Sequence, residues 1–240
     1  MVIRQVAINA VLFASILTSC GKALIKNPSD NNETEDTETP GGGGGEPLPP
    51  LGLLSWDAIP VTVVMDERWT LSQRAAIFSA MDSWSEAAGC ELFTFDSAPQ
   101  VFYGRDASLR DLKNAFMIDN WVNVKQTEKT IAVTHWRQQS NRIIESDVFF
   151  NSRDFQFIDA LALTTTVDLE SVMIHELGHF LGIDHSDEAI YPNSVMVPSL
   201  HTGTGNAKRT LAQFDQNSIK SRYEELCKPG TNEEEKAPAE

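Results

Sequence analysis

The stretch His175-Glu176-Leu177-Gly178-His179-Phe180-Leu181-Gly182-Ile183-Asp184-His185 decides how this chain is read. On a helix of 3.6 residues per turn, His175 and His179 stand four apart and share one face. Two imidazoles so placed reach a single ion at about 2.0–2.1 Å, the length of a zinc–nitrogen bond. Glu176, next to the first histidine, points toward a water on that ion instead of toward the ion itself. Gly182 lets the backbone leave the helix, because glycine takes positive φ with no Cβ penalty. The turn then returns His185 from a different direction. Three protein ligands leave one tetrahedral position open, which marks a catalytic zinc and not a structural one. The chain has five histidines, and three of them fall within these eleven residues. A pair of surface imidazoles on a helix would not require that concentration.

This segment resembles the signature of the metzincin zinc endopeptidases, His-Glu-x-x-His-x-x-Gly-x-x-His followed by a methionine turn. Ser186, directly after the third histidine, is similar to the matrixin branch, which holds the matrix metalloproteinases and their bacterial relatives. The resemblance implies an α+β fold, a twisted mixed β-sheet with long helices and an active-site cleft over the zinc-binding helix and the Met-turn. It implies Met196, in Ser194-Val195-Met196-Val197-Pro198, as the Met-turn residue, and Pro198 to Arg209 as the wall of the S1′ pocket. It further implies hydrolysis of peptide bonds in extracellular or envelope proteins. His175, His179 and His185 would hold one zinc, and Glu176 would act as general base on a zinc-activated water. Calcium is compatible with the family, but no residues place it. His135 and His201 lie outside the motif, and the structural-zinc histidine cluster of animal matrixins has no evident counterpart.

Working outward, Val61 to Met65 is β-branched and bounded by Pro60 and Asp66, which predicts a first strand. Thr70 is a candidate cap for a helix through Ala88, with Leu71, Ala75, Phe78, Met81 and Trp84 as its apolar stripe and Gly89 as its stop. Glu91 to Phe95, Thr130 to Trp136 and Ile143 to Asn151 read as further strands. Glu145 to Asn151 is similar to the matrixin strand that borders the cleft, where an extended substrate adds as a β-strand. Asp168 opens the active-site helix, with Val172, Ile174 and Leu177 toward the core. Leu211 to Leu226 predicts a C-terminal helix burying Phe214, Ile219 and Tyr223.

The ends of the chain read differently. Residues 1–19 carry Arg4 and then an apolar run from Val6 to Leu17, too short to span a membrane comfortably and suited to a secretory signal. Leu17-Thr18-Ser19-Cys20 resembles a bacterial lipobox, with Cys20 as the lipidated first residue of an exported, envelope-anchored protein at the outer membrane or cell surface. Residues 20–55, with the run Gly41 to Gly45 and Pro47, Pro49 and Pro50, predict a disordered tether. Residues 56–227 are left as one catalytic domain and 228–240 as a disordered tail. Asp30, Asp36 and Asp57 are candidates for a latency aspartate.

Net charge is −15 with no basic stripe, which argues against nucleic-acid binding. Nothing in the pattern points to oligomers, so a monomer is expected. Cys90 and Cys227 are candidates for a disulfide in an oxidising compartment, a pairing that the sequence leaves open. The main alternative is a non-catalytic surface lipoprotein, a binding module that keeps a zinc-stabilised fold. Glu176 argues against it, since a purely structural site needs no base beside its ligand.

Overall fold

The computed structural model describes residues 21–25, 54–100, 111–119, 130–159, 166–200 and 208–228. The signal stretch, Cys20, most of the tether and the tail from 229 onward lie outside them. The described strands are β1 (Gly21–Ile25), β2 (Ser55–Trp56), β3 (Val61–Asp66), β4 (Phe93–Gln100), β5 (Asn114–Asp119), β6 (Thr130–Gln139), β7 (Arg142–Asn151), β8 (Gln156–Ile158), β9 (Thr166–Asp168) and β10 (Ser199–Leu200). The helices are α1 (Leu71–Ala88), α2 (Leu169–Phe180) and α3 (Gln213–Cys227).

The main sheet runs β10-β1-β6-β7-β5-β3-β4, with β2 pairing β7 off this path. Strands β4, β3, β5 and β7 are parallel to one another, whereas β6 is antiparallel to β7. This is the mixed sheet of an α+β fold, as the sequence predicts. Alternation sends Val63, Met65, Phe116, Val148 and Phe150 into the large core beneath the helices. Val64, Ala115, Met117, Val133 and Phe149 gather in a smaller cluster of their own. A period of two on a pleated strand requires that division.

Helix α1 begins at Thr70, whose hydroxyl accepts from the Gln73 N–H while the Gln73 side chain returns to the Thr70 N–H, and it stops at Gly89 with φ of 81°. Its buried face is Ala76, Ile77, Ala80, Met81 and Trp84. The predicted stripe was therefore rotated: Leu71 is 87% exposed, and Phe78 lies at the margin with its ring edge-on to Phe95. From that face Trp84 reaches α2, its Nε1 donating to the Ile174 carbonyl at 2.9 Å.

Two further expectations need correction. The stretch Glu145 to Asn151 does not border the cleft; it lies inside the sheet between β5 and β6, nearly all of it buried. The strand that packs against the active-site helix on that side is β6, whose Thr134 hydroxyl reaches Glu176. Gly21–Ile25, read as tether, forms β1 along β6. Its apolar run, Ala23-Leu24-Ile25, is too short to mark a strand by pattern alone.

Cys90 and Cys227 are bonded, with Cα atoms 5.4 Å apart and 137 residues of separation. The bond joins the C-terminal ends of α1 and α3. In the chain-entropy account a loop of that length is worth on the order of 5 kcal/mol.

One buried acid in β7 couples the fold to pH. Asp147 is fully buried, accepts from the Ala115 N–H at 3.1 Å, and its Oδ2 has no partner among the described residues. Burial first, then Glu145 and Asp111 nearby, raise its carboxyl from 3.8 to about 9. His135 lies opposite across the strand pair, and Arg137 pairs with Glu145 at 3.0 Å. Because the folded pKa lies above the unfolded one, stability from the protonated acid is present at low pH and lost as pH rises through that window. Melting curves of wild type and Asp147→Asn should therefore diverge between about pH 4 and pH 9, the variant gaining, at roughly 2–4 °C per kcal/mol. Parallel curves over that range would show that the acid carries no such linkage.

Candidate metal centre

The active-site helix starts where the sequence places it. Asp168 caps it, accepting from the Ser171 N–H at 3.1 Å, and every residue of α2 is buried. Arg209 holds the cap from outside, pairing with Asp168 and with Glu170 and reaching Asp159 at 3.1 Å. At the other end, carbonyls with no helical partner are taken up by side chains. Trp56 Nε1 donates to the Phe180 oxygen at 2.9 Å and the Tyr223 hydroxyl donates to the Leu181 oxygen at 3.0 Å. Gly182 then turns the chain with φ of +82°, and Leu54 O lies where a Cβ would stand. Both conditions exclude any other residue.

The turn brings His185 back to the helix. Among the described residues, His175, His179 and His185 form a group whose ligand atoms all lie within 4.8 Å of one another. Ring centroids are 4.7 Å apart for His175–His179 and His179–His185, and 5.2 Å for His175–His185. The two helical imidazoles are buried and His185 is exposed.

Carbonyls set the orientation of the two buried rings. His175 Nδ1 lies 2.7 Å from Val195 O, and His179 Nδ1 lies 2.8 Å from Ile183 O. A carbonyl oxygen only accepts, so each Nδ1 carries the proton and each Nε2 is left with a lone pair. Those Nε2 atoms face each other at 3.1 Å. Two nitrogens on a tetrahedral zinc stand about 3.3 Å apart, so the spacing fits a shared cation. Burial first, and then His185, hold His175 at about 3, and burial holds His179 well below its ordinary value. Both rings are neutral at physiological pH, as ligands must be. Asp184 is exposed and supplies neither of these bonds.

Glu176 is fully buried beside this group. Thr134 Oγ1, from β6, donates to Glu176 Oε2 at 2.6 Å, while Oε1 has no partner among the described residues. Burial raises the Glu176 carboxyl to about 8, opposed by the Thr134 hydrogen bond. A cation on the histidines would pull the other way and favour the carboxylate. An orphaned oxygen beside convergent lone pairs is the donor set of a metal-and-base site.

Met196 is completely buried under α2. Its thioether packs where a Cβ on Gly178 would lie, with Cε at 2.8 Å from that point and Trp84 Cζ2 at 3.1 Å. Gly178, between the two helical histidines, is therefore a site residue that sequence reading passed over. Asp215 is another. From the first turn of α3 it accepts from Ser194 Oγ at 2.5 Å, from Val195 N at 3.0 Å and from Ala212 N at 2.8 Å. Lys208 Nζ completes the clamp, donating to Pro192 O at 2.8 Å and Ser194 O at 3.0 Å. Since Val195 O orients His175, Asp215 acts on the metal site through the turn. Its only signal in the sequence is an acid in the first turn of a helix, which ordinary capping also explains.

The family described as Matrixin matches residues 61–224. Metalloendoproteinase 2-MMP of Arabidopsis thaliana is 49% identical over 63 residues, 26% of this chain and 15% of its own length. Metalloendoproteinase 5-MMP of the same plant is 41% identical over 63 residues, 26% of this chain and 16% of its own. Metalloendoproteinase 1 of Glycine max is 41% identical over 61 residues, 25% and 18% respectively. The chain thus aligns with less than a fifth of the length of these curated relatives.

Gly178→Ala tests the seat of Met196. Helix propensity favours alanine by about 1 kcal/mol, but overpacking costs about 1–3 kcal/mol, so a net loss is expected. The variant should melt lower and bind zinc more weakly. Wild-type melting with undiminished zinc binding would mean that Met196 does not need this glycine.

Proposed function

The chain belongs to the matrixin family, and from that premise we propose that it is a zinc-dependent endopeptidase whose site is His175, His179, His185 and Glu176. The observation that carries the reading is the pair of Nε2 lone pairs aimed at one point, with an unpartnered carboxylate oxygen beside them. Zinc bound there would supply Lewis acidity, lowering the pKa of a water toward about 7 and polarising a carbonyl. The chain's own groups do the rest. Glu176 Oε1 receives the proton of the attacking water and delivers it to the departing amine. Thr134 holds the other oxygen of that carboxylate so that Oε1 faces the reaction. Val195 O and Ile183 O keep the imidazoles in one tautomer.

In this reading side-chain selection falls to a small cavity beside His175, about 10 Å³, which must widen to take more than a water-sized group. It is lined by Ser171 and Val172 of α2, by Val195 and Val197 of the Met-turn, and by Lys208. Valine walls favour short apolar groups, and the ammonium disfavours basic ones by like-charge repulsion. Proteins or peptides of the extracellular space or envelope are the substrates in this reading. Residues 1–19 act as signal, Cys20 carries lipid, and the tether holds the catalytic domain at a bacterial outer membrane or cell surface. Calcium enters no part of it. The alternative of a non-catalytic binding module would keep the metal and lack turnover.

Glu176→Gln separates these readings. It should retain zinc and fold while chelator-sensitive cleavage of a peptide library falls by at least about 10²-fold. Undiminished cleavage would remove Glu176 from the chemistry, and zinc binding without any cleavage by wild type would favour the binding module. Anchoring is tested separately: Cys20→Ser should move the protein from the membrane to the soluble fraction, and persistent membrane association would refute lipidation at that residue.

A further inference from the structure

β1 forms from a segment whose sequence reads as tether, and its position is informative. Without it, β6 would present an unpaired row of N–H and C=O groups on the side of the histidine helix, the kind of edge onto which an extended chain adds. With it, the part of that row from Thr130 to Thr134 is filled. Gly21 lies opposite Thr134, Lys22 opposite Val133 and Leu24 opposite Thr130, all antiparallel. The other edge of β1 pairs in parallel with β10, Leu24 opposite Ser199 and Ile25 opposite Leu200. Helix α2 lies against the strand as well. Gly21, Lys22 and Leu24 are thus held along one backbone edge and Leu24 and Ile25 along the other.

Two landmarks locate this slot relative to the chemistry. Thr134, the partner of Gly21, is the residue whose hydroxyl donates to Glu176. Ser199, the partner of Leu24, lines the cavity beside His175. A backbone running from one to the other spans the region between the general base and the side-chain cavity, where an extended substrate has to lie. Main-chain hydrogen bonds do not depend on side-chain identity, so a short polar-flanked segment can fill the slot. Covalent attachment raises its local concentration and offsets a weak intrinsic affinity. Of the aspartates considered for latency, Asp57 is engaged with Arg142, and Asp30 and Asp36 lie outside the described residues.

We propose that Gly21–Ile25 is an intramolecular pseudo-substrate, a strand that occupies the substrate groove between β6 and β10 and keeps the site closed until it is displaced. Its consequence for activity rests on the endopeptidase reading, whereas its geometry rests on the strand pairing alone.

The test uses the full chain, zinc-loaded, as wild type and as the double variant Lys22→Pro/Leu24→Pro, in which both positions lose their N–H and their strand geometry. Hydrogen exchange at Thr130 to Thr134 is measured with the amides of α3 as internal reference, alongside hydrolysis of a quenched peptide. Exchange in β6 should accelerate by at least about tenfold with α3 unchanged. Hydrolysis should rise by at least about fivefold, as expected when the open form is a minor fraction. Unchanged β6 exchange would overturn the proposal, because the strand would not be seated. Faster exchange with unchanged, measurable hydrolysis would overturn it as well, because the groove would not be blocked. Faster exchange with no hydrolysis by either protein would support the seating and instead sink the endopeptidase reading.

Discussion

Two imidazole lone pairs pointing at each other on buried rings are the constraint around which this domain is arranged. His175 and His179 cannot turn away, because Val195 O and Ile183 O hold their Nδ1 protons. Nor can they readily become charged, since burial disfavours the imidazolium. Neutral nitrogens at 3.1 Å repel unless a cation lies between them. The site is therefore built as half of an interaction, and its stability in the folded chain has to come from its surroundings.

Those surroundings consist largely of backbone carbonyls and amides satisfied by long-range side chains. Trp84, Trp56 and Tyr223 each spend their polar atom on α2 or on the turn after it. Asp215 and Lys208 clamp the Met-turn from α3 and from the segment before it, and the turn passes that order to His175 through Val195 O. The disulfide fixes α3 to α1 at the far end. Rigid imidazoles thus depend on elements that lie far apart in the chain, as preorganised metal sites generally require.

The sheet serves the same site from the other side. Placing antiparallel β6 outside the parallel strands puts Thr134 next to Glu176 and leaves one edge of β6 facing the histidine helix. An edge so placed is both a recognition surface and a liability. Its pairing with β1 answers the second need and, on our proposal, governs access to the first.

Much of this was legible in the chain. The eleven residues from His175 to His185 specify the helix, the glycine turn and the three converging imidazoles, because ligand spacing is a local property of helix geometry. Thr70 and Gly89 marked α1, and Asp168 marked α2, because caps are local hydrogen bonds. What failed was whatever depends on neighbours distant in sequence. The face of α1 that is buried carries Ala76, Ile77 and Ala80 and not Leu71 or Phe78, a rotation that periodicity alone does not fix; an interior strand such as β7 and the strand beside it share the same apolar pattern. Gly178, Asp215 and Thr134 have no local signature, since their roles exist only where Met196, the turn and Glu176 come to rest against them. Short-range geometry determined which atoms are available to hold a metal. Long-range packing and strand pairing alone decided which groups orient them and which segment lies across the groove, because those contacts join residues that the one-dimensional pattern keeps apart.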